Sequence, residues 1–188
     1  MDRHVLWYLA RSSGVVAWIV LSMSMVWGLL LSTRLLQGRR RPAWLLDLHK
    51  WLGTLAVLFT AGHLVALVAD SYVQFGWAEI LIPFASEWRP TAVAWGVGAT
   101  YLMVAVQVTS WAMKRLSKAW WRRIHMTSYV SFFFASFHAA GAGSDAGSGW
   151  YQAVATVILG LVLFTIVYRL TAGTIRAERA RQRAEKAA

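Results

Sequence analysis

The sequence predicts an all-α membrane protein, a bundle of five transmembrane helices with a short interfacial helix in an outer loop. Three observations predict it. Of the 188 residues, 58% are hydrophobic and only 14% charged, with twelve Trp and a mean hydropathy of +0.48, which is too apolar for a soluble domain. The apolar residues gather into five runs, each long enough to cross a hydrocarbon layer about 30 Å thick. Lys and Arg crowd into alternate loops, as they do around membrane spans.

Taken in order, the first span covers Ser13 to Leu36. Its apolar stretch, Gly14 to Leu31, is long and runs into Ser-Thr-Arg and not into a small-residue cleavage site, so no cleaved signal peptide is expected. The second span is Trp44 to Ala69. The loop from Asp70 to Pro90 sets Phe75, Trp77, Ile80, Leu81 and Phe84 among acidic residues, a pattern that predicts a short amphipathic helix on the membrane, capping the outer side. The third span is Thr91 to Met113 and the fifth Trp150 to Thr171. Between them, Ile124 to Ala142 is the least hydrophobic span, with Ser128, Ser131, Ser136 and two histidines, and is expected to face the bundle interior. Residues 1–175 thus form one transmembrane domain. Residues 176–188 form a basic cytoplasmic tail of Ala, Arg and Glu, read as a solvated helix near anionic lipid or a docking surface for a redox partner.

Charge fixes the expected topology. Of 19 Lys and Arg, only Arg3, Arg11 and Arg89 fall on one side, so the other side is cytoplasmic, the N-terminus outside and the C-terminus inside a cell membrane. The net charge of +11 is therefore a topology signal, and nucleic acid is not an expected partner. Trp44, Trp51, Trp120 and Trp121 mark the inner interface, while Trp7, Tyr8, Trp77, Trp88, Trp150 and Tyr151 mark the outer one.

Four of the five histidines lie inside spans, as two pairs of nearly equal spacing, His49 with His63 and His125 with His138. Fourteen helical residues rise about 21 Å and thirteen about 19.5 Å, so each helix holds one His near each face. Partners that far apart on a helix cannot share one zinc ion. Imidazole is a common ligand of heme iron, and ionisable residues in a bilayer are costly enough to mark function. The alternative is polar contact between helices, which would not sort histidines into two matched depths. With no Cys in the chain, iron–sulfur clusters and thioether attachment are excluded, so the expected cofactors are two heme b groups, held non-covalently.

Spans two and four run in the same direction, so His49 pairs with His125 at the inner heme and His63 with His138 at the outer. One difficulty accompanies this pairing. Fourteen residues fall only about 40° short of four turns, but thirteen fall about 140° short. His125 and His138 would not share a face of an ideal helix; local tightening toward 3₁₀ geometry, or hemes rotated relative to each other, would reconcile them. Gly53 and Gly62 would admit a flat macrocycle to the backbone, though small residues also serve ordinary helix packing. Lys50, Arg122 and Arg123 are placed for the propionates of the inner heme and Arg11 for those of the outer, although the positive-inside pattern alone accounts for the first three as well.

The stretches LHKWLGTLAVLFTAGH (Leu48 to His63) and RRIHMTSYVSFFFASFH (Arg122 to His138), with YLARSSG (Tyr8 to Gly14) more loosely, resemble the ferric-reductase-like transmembrane domain family. That family includes the membrane parts of NADPH oxidases and yeast ferric reductases, and the heme subunit of the bacterial periplasmic methionine-sulfoxide reductase system. The resemblance implies that the four histidines ligate two b hemes carrying electrons across the membrane, with Arg11 beside the outer one. The chain departs from the family in having five spans instead of six. It also shows no G-x-G-x-x-G and no room for the flavin and nicotinamide domains that oxidases carry.

The expected function is transmembrane electron transfer, from a cytoplasmic flavoprotein (FAD or FMN) or a membrane quinol to an acceptor at the outer face. A ferric chelate, dioxygen or a periplasmic partner enzyme could accept. The alternative is a heme-binding assembly or sensory subunit without electron flux. A proton-coupled transporter is disfavoured, because the spans hold only Asp47 as a carboxylate.

Overall fold

The computed structural model describes residues 5–33, 42–70 and 75–187. Among them every regular element is helical: α1 (Val5–Thr33), α2 (Ala43–Ala69), α3 (Trp77–Leu81), α4 (Pro90–Trp111), α5 (Lys118–Met126), α6 (Ser128–Ala142) and α7 (Gly149–Ala187), with a 3₁₀ turn at Met113–Arg115. Four of these are long and apolar enough to cross a membrane: Val5–Ser32, Ala43–Ala69, Pro90–Trp111 and Gly149–Thr174. Their outward faces, for example Leu58, Val65, Val104, Val108, Phe164 and Leu170, are exposed large hydrophobics, as a lipid-facing surface requires. The chain is a membrane protein.

The expected fourth span is in two pieces. Alone, the fifteen residues of α6 rise about 22 Å, short of a bilayer core. The basic cluster Arg34, Arg39, Arg40 and Arg41 lies outside the described residues, as do Arg3 and His4.

Sequence chemistry accounts for the boundaries. Pro90 opens α4 at a position where its missing N–H costs nothing. Ser117 caps α5, its hydroxyl accepting from the Trp120 N–H. The short α3 is set by Glu79, whose carboxylate accepts from the Gly76 N–H at 2.8 Å. This loop is not uniformly superficial: Phe75 and Ile80 turn inward to pack on Val93 and Val97, while Trp77, Leu81 and Phe84 stay exposed. The expected tail helix is a direct continuation of α7.

Two antiparallel pairs make up the bundle. α1 lies along α2 and α4 along α6, while α7 packs on α1. Small buried residues, Ala10, Ala17, Ala56, Ala66 and Ala99, let these backbones approach. The junction of α1, α6 and α7 is filled by Met25, Leu29, Phe132 and Val162. α2 and α6, which carry three of the four span histidines, do not pack closely on each other. A slot runs between the pairs.

Candidate functional site

The four histidines face one another across that slot. The ring centres of His63 and His138 are 6.3 Å apart and those of His49 and His125 are 6.0 Å apart, each pair inclined at 74°. An imidazole nitrogen lies about 1.1 Å from its ring centre and metal–nitrogen bonds are about 2.0 Å, so two rings ligating one metal from opposite sides have centres about 6.2 Å apart. A direct N–H···N hydrogen bond of about 2.9 Å would instead bring them to about 5.1 Å. The observed spacing matches the first arrangement.

Ring nitrogens on the helix side support this. His63 Nδ1 lies 2.7 Å from the Ala10 carbonyl and His138 Nδ1 2.9 Å from that of Ala92. A carbonyl only accepts, so both Nδ1 atoms carry the proton and both Nε2 atoms keep a free lone pair. Neither ring can then donate to the other. At the opposite end the partners are hydroxyls, Ser24 Oγ at 3.4 Å from His49 Nδ1 and Ser110 Oγ at 3.5 Å from His125 Nδ1.

Each ring except that of His125 lies against a glycine one turn beyond its hydrogen-bond partner. A Cβ on Gly14 would sit 2.9 Å from His63 Nδ1, one on Gly28 3.0 Å from His49 Cε1, and one on Gly96 2.6 Å from His138 Nδ1. Ala10 precedes Gly14 by four residues, Ser24 precedes Gly28, and Ala92 precedes Gly96. A carbonyl or hydroxyl from residue i reaches the ring over the bare backbone of residue i+4. Of the glycines flagged in the sequence, Gly53 abuts Gln107 Oε1 and Gly62 opens on empty space. The available signal was the fourteen-residue separation of Gly14 from Gly28 and of Gly96 from Ser110, which repeats the His49–His63 spacing on neighbouring helices.

The stretch that carries the second pair is interrupted at Thr127. The α ladder of α5 ends at Met126, the Thr127 N–H bonds to the Ile124 carbonyl at 2.9 Å, a 3₁₀ step, and α6 begins at Ser128. One such step adds only about 20° to the α rotation, so tightening alone does not make up the shortfall; the interruption lets α5 and α6 present His125 and His138 to the slot as two separate helices. His125 is further fixed by Trp121, stacked on it at 5.0 Å and 25°.

A cavity of about 490 Å³ opens at the His63–His138 pair, lined also by Trp18, Met103, Arg11 and Arg89. Its volume lies in the range of small-molecule and cofactor sites. Among the described residues no three His, Cys, Asp or Glu side chains cluster as a metal site. Two imidazoles are too few to hold a bare ion, but they suit a metal whose other ligands come from a planar macrocycle. The residues present therefore fit heme.

The basic side chains have these partners in the structure. Arg11 lines the cavity, yet its guanidinium is paired in two-pronged fashion with Asp145, a buried carboxylate in the turn after α6, and it lies over Trp7. Sequence reasoning missed Asp145, whose partner is remote in the chain. Arg89, counted in the sequence only toward topology, has a left-handed φ of 45°, donates to the Gly141 carbonyl and stacks on Trp88. Lys50 pairs with Asp47 at 3.0 Å on an exposed surface. Arg122 and Arg123 are exposed, with Arg123 over Trp120.

A family model described as ferric reductase like transmembrane component matches residues 13–141. Neither curated proteins nor solved structures gave a match.

Proposed function

Because the chain belongs to the ferric-reductase-like transmembrane family, we propose that it conducts electrons across the membrane through two bis-histidine b hemes. The observation that carries this reading is the 6.0 and 6.3 Å separation of the two histidine pairs. Heme supplies a one-electron iron couple whose potential the surrounding protein tunes.

The chain's own residues do the rest. Ala10 and Ala92 accept the Nδ1 protons of His63 and His138, which fixes ring orientation and leaves Nε2 as the ligating nitrogen. Gly14, Gly28 and Gly96 clear the space those rings occupy. Trp18, held by its indole N–H to Ser136 Oγ at 3.0 Å and stacked on Tyr151, gives the cavity an apolar wall that keeps water out. With α5 and α6 together taken as the fourth crossing and α7 as the fifth, the His49–His125 pair falls on the side that the basic loops mark as cytoplasmic. A flavin reductase or membrane quinol would deliver electrons there, and an acceptor would take them at the His63–His138 side.

The test is an optical spectrum followed by pyridine-hemochrome stoichiometry on histidine variants. Dithionite-reducible b-type bands are expected. His49→Ala and His125→Ala should each remove one heme, and His63→Ala and His138→Ala the other. Unchanged heme content in any of the four would remove that residue from the ligand set.

A further inference from the structure

We propose that Arg169 and Tyr129 form a binding site for the phosphate of an anionic phospholipid, where α7 leaves the bundle toward the basic tail. Arg169 falls within the apolar stretch Gly149–Thr174, five residues before its end. A guanidinium at that depth needs a partner or a purpose. Its contact within the bundle is the Tyr129 hydroxyl on α6, 2.5 Å from Nη1, which is neutral. Neither ion pair among the described residues includes Arg169.

The hydrogen-bond accounting leaves donors without a partner among the described residues. Tyr129 oxygen accepts from Arg169, so its own O–H proton needs another acceptor, and no described residue provides one. The guanidinium retains four further N–H groups. A phenol and a guanidinium with surplus donors and a net positive charge call for an oxyanion. Tyr129 is packed against the Met25, Leu29, Phe132 and Val162 cluster, so the pair is held at the bundle surface and the Arg is not simply extended along α7. The source of the oxyanion follows from location: residues 176–186, just beyond, include Arg176, Arg179, Arg181, Arg183 and Lys186, a basic run that draws anionic lipid to this face. The site does not depend on the heme reading.

Native mass spectrometry of the protein, delipidated in detergent and exposed to phosphatidylglycerol or phosphatidylcholine, tests it. Phosphatidylglycerol should be retained selectively. Retention should fall about tenfold in Arg169→Gln, which loses a charge-assisted contact, and about fivefold in Tyr129→Phe, which loses one neutral hydroxyl. Heme content should be unchanged in both. Tyr129→Phe keeps the ring in the cluster, so it decides the matter if Arg169→Gln fails to show native helicity by circular dichroism. Equal retention of phosphatidylcholine, displacement of the lipid by inorganic phosphate, or loss of a heme with phosphatidylglycerol retention intact would each overturn the proposal. The last outcome would assign the pair to a heme carboxylate instead.

Discussion

At the residue scale, a histidine becomes a useful ligand only when something else takes its second nitrogen and something small lets the ring through. Gly96 is the sharpest instance, since even a methyl group there would sit 2.6 Å from His138 Nδ1, closer than atoms not bonded to each other tolerate. Gly96→Ala should therefore halve heme stoichiometry while His49 and His125 keep theirs; Gly62→Ala, facing open space, should change nothing. Two hemes retained in Gly96→Ala would mean the ring has another place to go. Arg11 and Asp145 make a second test at this scale. Arg11→Gln removes a positive charge beside the cavity and should lower the potential of one heme, because the reduced state is the more negative. Asp145→Asn removes the opposing charge and should raise that same potential, with the double variant close to wild type; redox titration reads all three, and an immobile potential would reduce the pair to a structural clasp. Arg11 stood out in the sequence because cations on the side expected to be outer are scarce. Asp145 was not, because its partner is separated from it by 134 residues and an acidic loop residue carries no period to mark it.

At the element scale, the sequence marked the histidine spacing but not the break that makes the thirteen-residue spacing work. Hydrophobic periodicity reports which face of a helix is apolar, and the run from Ile124 to Ala142 reads as continuous. Thr127 gives only a weak hint, a β-branched hydroxyl residue whose Oγ1 bonds back to the Ile124 carbonyl at 2.7 Å. The break has a measurable consequence. Inserting one Ala after Thr127 lengthens the spacing to fourteen but turns all of α6 by about 100°. It would swing Phe132, which is 0% exposed, out of the α1–α7 junction, together with Ser131, whose hydroxyl bonds to the Ala99 carbonyl at 2.9 Å. The insertion should cost one heme and lower thermal stability. If it instead preserved both hemes, α6 would be free to rotate and the register argument would fail. The α3 segment shows the opposite lesson: amphipathic spacing found the helix, but Phe75 and Ile80 are claimed by α4, because a tertiary groove within reach outcompetes a lipid surface for the same side chains.

At the scale of the whole molecule, one fourteen-residue period runs through three helices, Gly14 and Gly28 in α1, His49 and His63 in α2, Gly96 and Ser110 in α4. It fixes two stations about 21 Å apart along the bundle, one toward each face, which is the property an electron conduit needs. Which face is which comes from charge. Among the described residues, Lys50, Lys114, Arg115, Lys118, Arg122 and Arg123 belong to the end of the bundle nearer His49 and His125, against Arg11 and Arg89 at the other, so the first end should be cytoplasmic. Alkaline phosphatase fused after Ala146 should be active and after Leu116 inactive, with green fluorescent protein giving the reverse; the opposite pattern would invert the direction of electron flow argued above. The same asymmetry bears on the donor. A basic inner face favours an acidic flavoprotein through long-range attraction, and that attraction is screened over about 8 Å at 0.15 M salt. Heme reduction by such a donor should slow steeply as salt rises through that range, whereas reduction by a membrane quinol, which approaches through lipid, should be nearly insensitive. A flat salt profile with the flavoprotein would leave the quinol as the source.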